Sequence, residues 1–242
     1  MASETRTTAK DLIAQRLTPQ LPTRRLRESL YARFNEARKK GMSEGDALQT
    51  LYPNTILDTE TLRRVTAALL AGSNVLLLGP PGSGKTNLAK DIWEAYPKEV
   101  VAVEDCPVQD DPFSLIDPAF YQKVPACPYC RMRHGDVTTK SLGAFDPSKV
   151  DPGRVPIVYK RLREGYGLAR IQGSPEVFPD NLTGSINLAR LEEIGDPTSP
   201  LVMEPGKVIQ AHRGILLVDE VGKLPRGTQN VLLQALQEGT VS

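Results

Sequence analysis

Gly79-Pro-Pro-Gly-Ser-Gly-Lys-Thr86 sets three glycines, a lysine and a threonine hydroxyl within eight consecutive residues. That spacing suits a loop whose main-chain N–H groups turn inward round a polyphosphate, because glycine allows the backbone to curl where other residues clash. Lys85 is placed to reach the β- and γ-phosphates of a nucleoside triphosphate, and Thr86 to offer its hydroxyl to Mg²⁺. Gly79, Pro80, Pro81, Gly82, Ser83, Gly84 and Asn87 complete the expected phosphate contacts. A second group lies far along the chain, where the apolar run Ile215-Leu-Leu-Val ends in Asp219-Glu220. Asp219 is the candidate magnesium carboxylate, and Glu220 the group that orients or deprotonates an attacking water. A nucleoside triphosphate and Mg²⁺ are the expected cofactors, with Lys85 and Glu220 as the catalytic pair.

The cysteines offer a different chemistry. Cys127-Pro-Tyr-Cys130 has zinc-ligand spacing, with Cys106 upstream and His134 shortly after. Three thiolates and an imidazole would close a tetrahedral structural Zn²⁺ site. A proline-rich segment with little apolar content would gain a staple from it. Two other readings stay open: three unconnected thiols in a reducing compartment, or a redox pair. The last needs a strand before the first cysteine and a helix opening on it, and the loop-like surroundings of Pro125 suggest neither.

The elements that must position these groups can be read from periodicity. Asn74-Val-Leu-Leu-Leu78 reads as a buried parallel strand, and the segment after the loop carries Leu88, Ile92 and Ala95 at helical spacing. Val100-Val-Ala-Val103 is a second short strand, Ile215–Asp219 a third, and a helix with Val231, Leu232, Ala235 and Leu236 follows. Upstream, Leu26, Leu30, Phe34 and Ala37 mark a helix stopped by Gly41, and Asp58 can cap another that Gly72 ends. The segment 52–56 falls near the expected adenine position, with nothing in it that reads the base. Thirteen of the twenty prolines fall between Pro107 and Pro205, so that stretch should be loops, turns and short strands. The expected organisation is a leader and helical appendage over 1–50, then a nucleotide-binding core over 51–242. That core is incomplete at its C-terminal end and carries insertions at about 104–156 and 173–210.

With 30 basic and 29 acidic residues and 5% aromatics, the chain has no footprint for nucleic acid as a main partner. No apolar run approaches the about 18–20 residues that cross a membrane, and Met1-Ala-Ser-Glu-Thr-Arg opens no secretory signal. Three cysteines suit a reducing, cytoplasmic setting. His212 reads as a surface or packing residue, Trp93 as core, and the basic group Lys160, Arg161, Arg163 and Arg170 as a solvated face.

In combination these residues resemble the AAA+ ATPases, and within them the magnesium-chelatase I-subunit group. The closer match is Glu204-Pro-Gly-Lys-Val-Ile-Gln-Ala-His-Arg-Gly-Ile-Leu-Leu-Val-Asp-Glu220, continuing through Thr228-Gln-Asn-Val-Leu-Leu-Gln-Ala-Leu-Gln-Glu-Gly239. Gly173–Leu188 is similar to the insertion before that strand. Glu104-Asp-Cys-Pro107 with Cys127-Pro-Tyr-Cys130 is similar to the group's cysteine-bearing insertion. The resemblance covers roughly 55 to 242. It implies an α/β phosphate-loop fold, a parallel sheet flanked by helices, and a ring-forming Mg²⁺-dependent ATPase, hexameric at full length. It further implies a partner with a von Willebrand factor A-like domain, and metal insertion into a tetrapyrrole or remodelling of a protein. A MoxR-like chaperone, a nucleotide-gated binding module and the ATPase part of a Lon-like protease are the alternatives. The family's sensor-1 strand, arginine finger and lid fall beyond Ser242, so their roles attach to no residue here.

Overall fold

The computed structural model describes residues 7–80 and 82–238. The chain divides into two units, one of residues 20–98 and 213–217, the other of 7–19, 99–212 and 218–238. Helix α1 (Ala9–Ala14) falls in the second unit. The first is helical and contains α2 (Pro22–Lys39), α3 (Glu44–Leu51), α4 (Thr59–Leu70) and α5 (Lys85–Ala95).

Pro22 sits in the first turn of α2, where its missing N–H costs nothing, and Leu26, Leu30 and Ala37 form the buried stripe. Asp58 caps α4 by accepting from the Thr61 N–H at 2.9 Å, as its position before the apolar repeat suggests. Ser43 caps α3 in the same way, with the Asp46 N–H at 3.2 Å, although this helix was not anticipated. Along α2, Arg25, Ser29 and Arg33 recur at every fourth residue and so share one face. They donate to the carbonyls of Pro97, Ala95 and Glu94 at 3.0, 2.7 and 3.0 Å. Those carbonyls lie at and beyond the end of α5, where a helix leaves its last C=O groups without internal partners. The middle of α5 is fixed by Asp91, which is 1% exposed. Its carboxylate accepts from the Asn54 N–H, the Asn54 side-chain amide and the Thr55 hydroxyl at 3.0, 2.8 and 2.7 Å. The 52–56 segment is therefore tied to the glycine-loop helix, and Tyr52 beneath it is fully buried with its hydroxyl 2.9 Å from Thr66 Oγ1.

One expected element is different. Residues 74–78 form no strand, and Leu76 and Leu78 are 69% and 86% exposed. The apolar run is there, but a strand exists only through ladder partners, and none pairs with it among the described residues.

In the second unit β1 (Glu99–Val103) pairs antiparallel with β2 (Ile157–Arg161), Val103 opposite Ile157. Between them run α6 (Phe113–Ile116), α7 (Pro118–Tyr121) and α8 (Pro128–His134). A three-stranded parallel sheet has the order β3 (Arg163–Glu164), β4 (Gly167–Gln172), β7 (Ile215–Asp219), which with its flanking helices makes the fold α/β. The remainder is α9 (Pro179–Thr183), β5 (Gly184–Ile186), α10 (Leu188–Ile194), β6 (Met203–Pro205), α11 (Lys207–Gln210) and α12 (Arg226–Glu238), with β5 and β6 antiparallel.

The proline-rich stretch holds more helix than expected. Pro118, Pro128, Pro147, Pro152, Pro179 and Pro200 each open a short helix or 3₁₀ turn, in the position where proline is tolerated. Asp117, Asp146 and Asp151 stand directly before three of them and cap with their carboxylates. Residues 7–19 contribute α1 and two main-chain bonds to the second unit. Ala9 donates to the Val155 carbonyl at 2.9 Å and Ile157 to that of Thr7 at 3.1 Å. Ala9 and Leu12 thereby join a core of Val103, Leu115, Phe145 and Val155.

Asp91→Ala would leave two N–H groups and a hydroxyl unmatched, each worth about 1–3 kcal/mol where buried. The expected loss is about 3 kcal/mol, with Asp91→Asn losing less because it keeps one acceptor oxygen. Urea denaturation of both variants measures it, and a wild-type midpoint for Asp91→Ala would contradict the tether.

Candidate functional site

At the glycine loop, Gly82 and Gly84 have φ of 79° and 85°, in the left-handed region that favours glycine. A side chain at either would meet no atom within 4 Å, so both face open space. Gly84 is the N-cap of α5, and no side chain caps that helix. The first-turn N–H groups thus stay available at the positive end of the helix dipole, a built anion cradle. Lys85 Nζ donates to the carbonyls of Gly79 and Pro80 at 2.9 and 2.7 Å and lies 3.2 Å from Ser83 Oγ. Thr86 and Asn87 are exposed at the start of α5, and the Asn87 amide donates to the Asn54 carbonyl at 3.3 Å. Glycines, helix donors, ammonium and hydroxyl together fit a nucleoside triphosphate with its Mg²⁺. The expected contact from Pro81 lies outside the described residues.

The acidic pair belongs to the other unit. Asp219 closes β7, and its Oδ2 accepts from the Arg170 guanidinium at 2.8 Å. Glu220 has φ 50° and ψ 44°, an uncommon left-handed conformation for a side chain of this size. Its Oε1 is paired with Lys223 Nζ at 2.9 Å and its Oε2 accepts from the Gln172 amide at 2.7 Å. The hydrogen bond from Lys223 leads the effects that hold this carboxyl below its ordinary range, so Glu220 is ionised at neutral pH. Arg170 and Gln172 were not read as parts of the site, yet their alternate positions on β4 put both on one face. Gly173 was missed too. Its N–H donates to the Asp219 carbonyl at 2.8 Å, and a methyl group there would overlap the Glu220 carbonyl oxygen.

The cysteine group gathers differently from the expectation. Cys106 Sγ and Cys127 Sγ are 3.8 Å apart, and ligand atoms of Cys106, Asp110, Cys127 and Cys130 all lie within 4.8 Å of one another. His134 is not among them. Its ring bonds the Arg154 backbone, burial pushes its pKa down, and its Nε2 is enclosed without a hydrogen bond. It stands at the far end of α8, more than one turn from Cys127, whereas Asp110 comes from the loop that carries Cys106. A helix does open at Cys127, contrary to the expectation, but no strand precedes it. Hydrogen bonds from Cys127 and Cys130 draw the negative charge onto Cys106, whose thiol falls far below its usual range while theirs are pushed up. Burial raises the Asp110 carboxyl to about 7. His212 Nε2 stands 4.0 Å from Asp110 Oδ1, nearer to this group than a surface residue would be.

Gly173→Ala should cost about 1–3 kcal/mol, as overpacking against a fixed backbone does. Gly222→Ala, where added bulk meets nothing within 4 Å, should stay within about 0.5 kcal/mol. Chemical denaturation of the two variants side by side checks the contrast, and equal midpoints would remove Gly173 from the support of Glu220.

Residues 65–242 match the family model described as the PrkA AAA domain. Over 193 residues the chain is 27% identical to the magnesium-chelatase 38 kDa subunit of Acidiphilium rubrum, covering 78% of this chain and 46% of that protein. It thus spans about half the length of the curated relative it matches. A solved structure of the complex between subunits BchI and BchD of magnesium chelatase is similar at 22% identity and a TM-score of 0.41, over 73% of this chain and 43% of that one. With a glycine loop opening a helix and a strand ending in Asp219-Glu220, the chain belongs to the PrkA AAA domain family, an AAA-type ATPase domain related to the magnesium-chelatase I subunit.

Proposed function

We propose that this chain binds ATP–Mg²⁺ at residues 79–87 and hydrolyses it to drive a partner, as a ring-forming motor of the magnesium-chelatase I-subunit type. The observation that carries this is the uncapped start of α5 beneath two left-handed glycines that face open space. Lys85 and the α5 donors would bind and orient the terminal phosphates. Thr86 and Asp219 would hold Mg²⁺, whose charge neutralises phosphate oxygens when it is bound. Asp219 would then share or release its contact with Arg170. Glu220 would position the attacking water; because Lys223 and Gln172 occupy both its oxygens, it acts by orientation before it takes a proton.

That double occupancy also favours a second reading, in which ATP binding orders an interface and turnover is secondary. In the ring reading the subunits assemble as a hexamer in the cytoplasm. The work is metal insertion or protein remodelling, beside a partner with a von Willebrand A-type domain. The relative's name supports metal insertion; a MoxR-like chaperone or the ATPase part of a Lon-like protease would use the same nucleotide chemistry.

Lys85→Ala should abolish nucleotide binding by calorimetry, and unchanged affinity would refute the site. In the full-length protein Glu220→Gln should keep ATP bound and lower kcat by about 10²–10⁴-fold, the usual contribution of a positioned acid–base group. Wild-type turnover in that variant would remove Glu220 from the chemistry. Undetectable turnover in the wild-type assembly with intact binding would favour the gated module.

A further inference from the structure

We propose that Cys106, Asp110, Cys127 and Cys130 form a closed tetrahedral site for a divalent cation of the zinc type, independent of the nucleotide site. Geometry is the first ground. A tetrahedral zinc with Zn–S bonds of about 2.3 Å sets neighbouring sulfurs about 3.8 Å apart. Cys106 and Cys127 stand at 3.8 Å, and the other ligand atoms fall within 4.8 Å. A disulfide would need about 2.05 Å, and all three cysteines are free.

The backbone is shaped for this grouping. After β1 the chain folds back through two non-glycine residues in the left-handed region, Asp105 and Gln109, both with φ of 59°. The Val103 N–H then bonds the Asp110 carbonyl at 3.0 Å, closing a loop that turns Cys106 and Asp110 to one side. Conformations of this kind persist only where the surroundings enforce them, and they gather at ligand clamps. Opposite the loop, Cys127 caps α8 and Cys130 lies in its first turn. Three main-chain N–H groups serve the ligands themselves. Asp110 donates to Cys106 Sγ at 3.2 Å, Cys130 to Cys127 Sγ at 3.4 Å, and Cys127 to Asp110 Oδ2 at 2.7 Å. Such bonds stabilise thiolate and carboxylate, the forms that bind metal.

Burial is the second ground. Cys106 and Cys130 belong to the hydrophobic core of the second unit, and Asp110 is 3% exposed. A carboxylate enclosed with three sulfurs is costly unless a cation joins it. His212, 4.0 Å from Asp110 Oδ1, stands where an outer-shell partner would orient the ligating carboxylate. Four protein ligands leave no open position, so the site is structural, a staple between the loop after β1 and α8. Three thiolates select a soft or borderline metal, so Mg²⁺ would not compete.

The test is elemental analysis of the whole protein purified with reductant and without chelator, together with Co²⁺ titration of the metal-stripped protein. One equivalent of zinc is expected. Co²⁺ should give a thiolate charge-transfer band and tetrahedral visible bands that saturate at one equivalent, with excess Mg²⁺ displacing nothing. Asp110→Ala should lose the tetrahedral spectrum. His212→Ala should weaken Co²⁺ binding about 10- to 100-fold, and His134→Ala should leave it unchanged. Should Asp110→Ala fail to fold, the wild-type titration and His134→Ala still decide. Absence of both zinc and the cobalt bands would overturn the proposal. So would a Cys106–Cys127 disulfide in the reduced preparation, or loss of the spectrum in His134→Ala.

Discussion

The polarity of α5 is the constraint from which the nucleotide chemistry follows. A helix leaves unpaired donors at one end and unpaired acceptors at the other, and something must satisfy each set. Here the acceptor end is served by Arg25, Ser29 and Arg33 from α2. The donor end has no capping side chain, because Gly84 stands where serine or aspartate would cap most helices. An anion placed there meets directed N–H groups and roughly half a positive charge from the helix dipole. That arrangement is useful only if the helix cannot shift, and buried Asp91 fixes it against the 52–56 segment. The glycine loop is thus the exposed tip of an element anchored in the middle and at the far end.

The acidic pair obeys a different logic. Asp219 and Glu220 lie where a strand ends, so their directions are set by backbone and not by helix packing. Glu220 turns left-handed immediately after β7, and Gly173 lets the neighbouring chain come close enough to bond the Asp219 carbonyl. Arg170, Gln172 and Lys223 then hold the two carboxylates from their side chains. Both acids are therefore held and aimed before any ligand arrives, which suits orientation more than strong basicity.

What could be read in advance was local. The glycine loop, the helix it opens, the capping of α4 by Asp58 and the Val100–Val103 strand depend on residues close in sequence, whose physics is complete within a turn or two. Ser43 and the Asp-Pro pairs at 117, 146 and 151 are local signals of the same kind, each capping the turn that follows it. The stretch 74–78 failed for the opposite reason, since apolar content reports a wish for burial while strand pairing depends on distant partners. Spacing along the chain points to His134, just past Cys130, and gives no sign of Asp110. The structure favours the loop that already carries Cys106. No count along the chain shows that Asp105 and Gln109 fold that loop back.

The two candidate sites show how burial decides which chemistry a sequence can advertise. The phosphate loop works through main-chain donors at an exposed turn, so its requirement is written in glycines, and glycines at fixed spacing are visible. The cysteine group works through side chains sunk in a core, where the same atoms also fill space beside Leu115, Phe145 and Val155. A sulfur in such a core is chemically ambiguous, because a thiol packs there as a small apolar group. Asp110 removes the ambiguity. A carboxylate is a poor space-filler, and a cation completing the group would account for its enclosure beside three sulfurs, with the Cys127 N–H on one oxygen and His212 near the other. With a cation bound, the stretch from Cys106 to Cys130 would hold a second organising centre, made from side chains as the first is made from backbone.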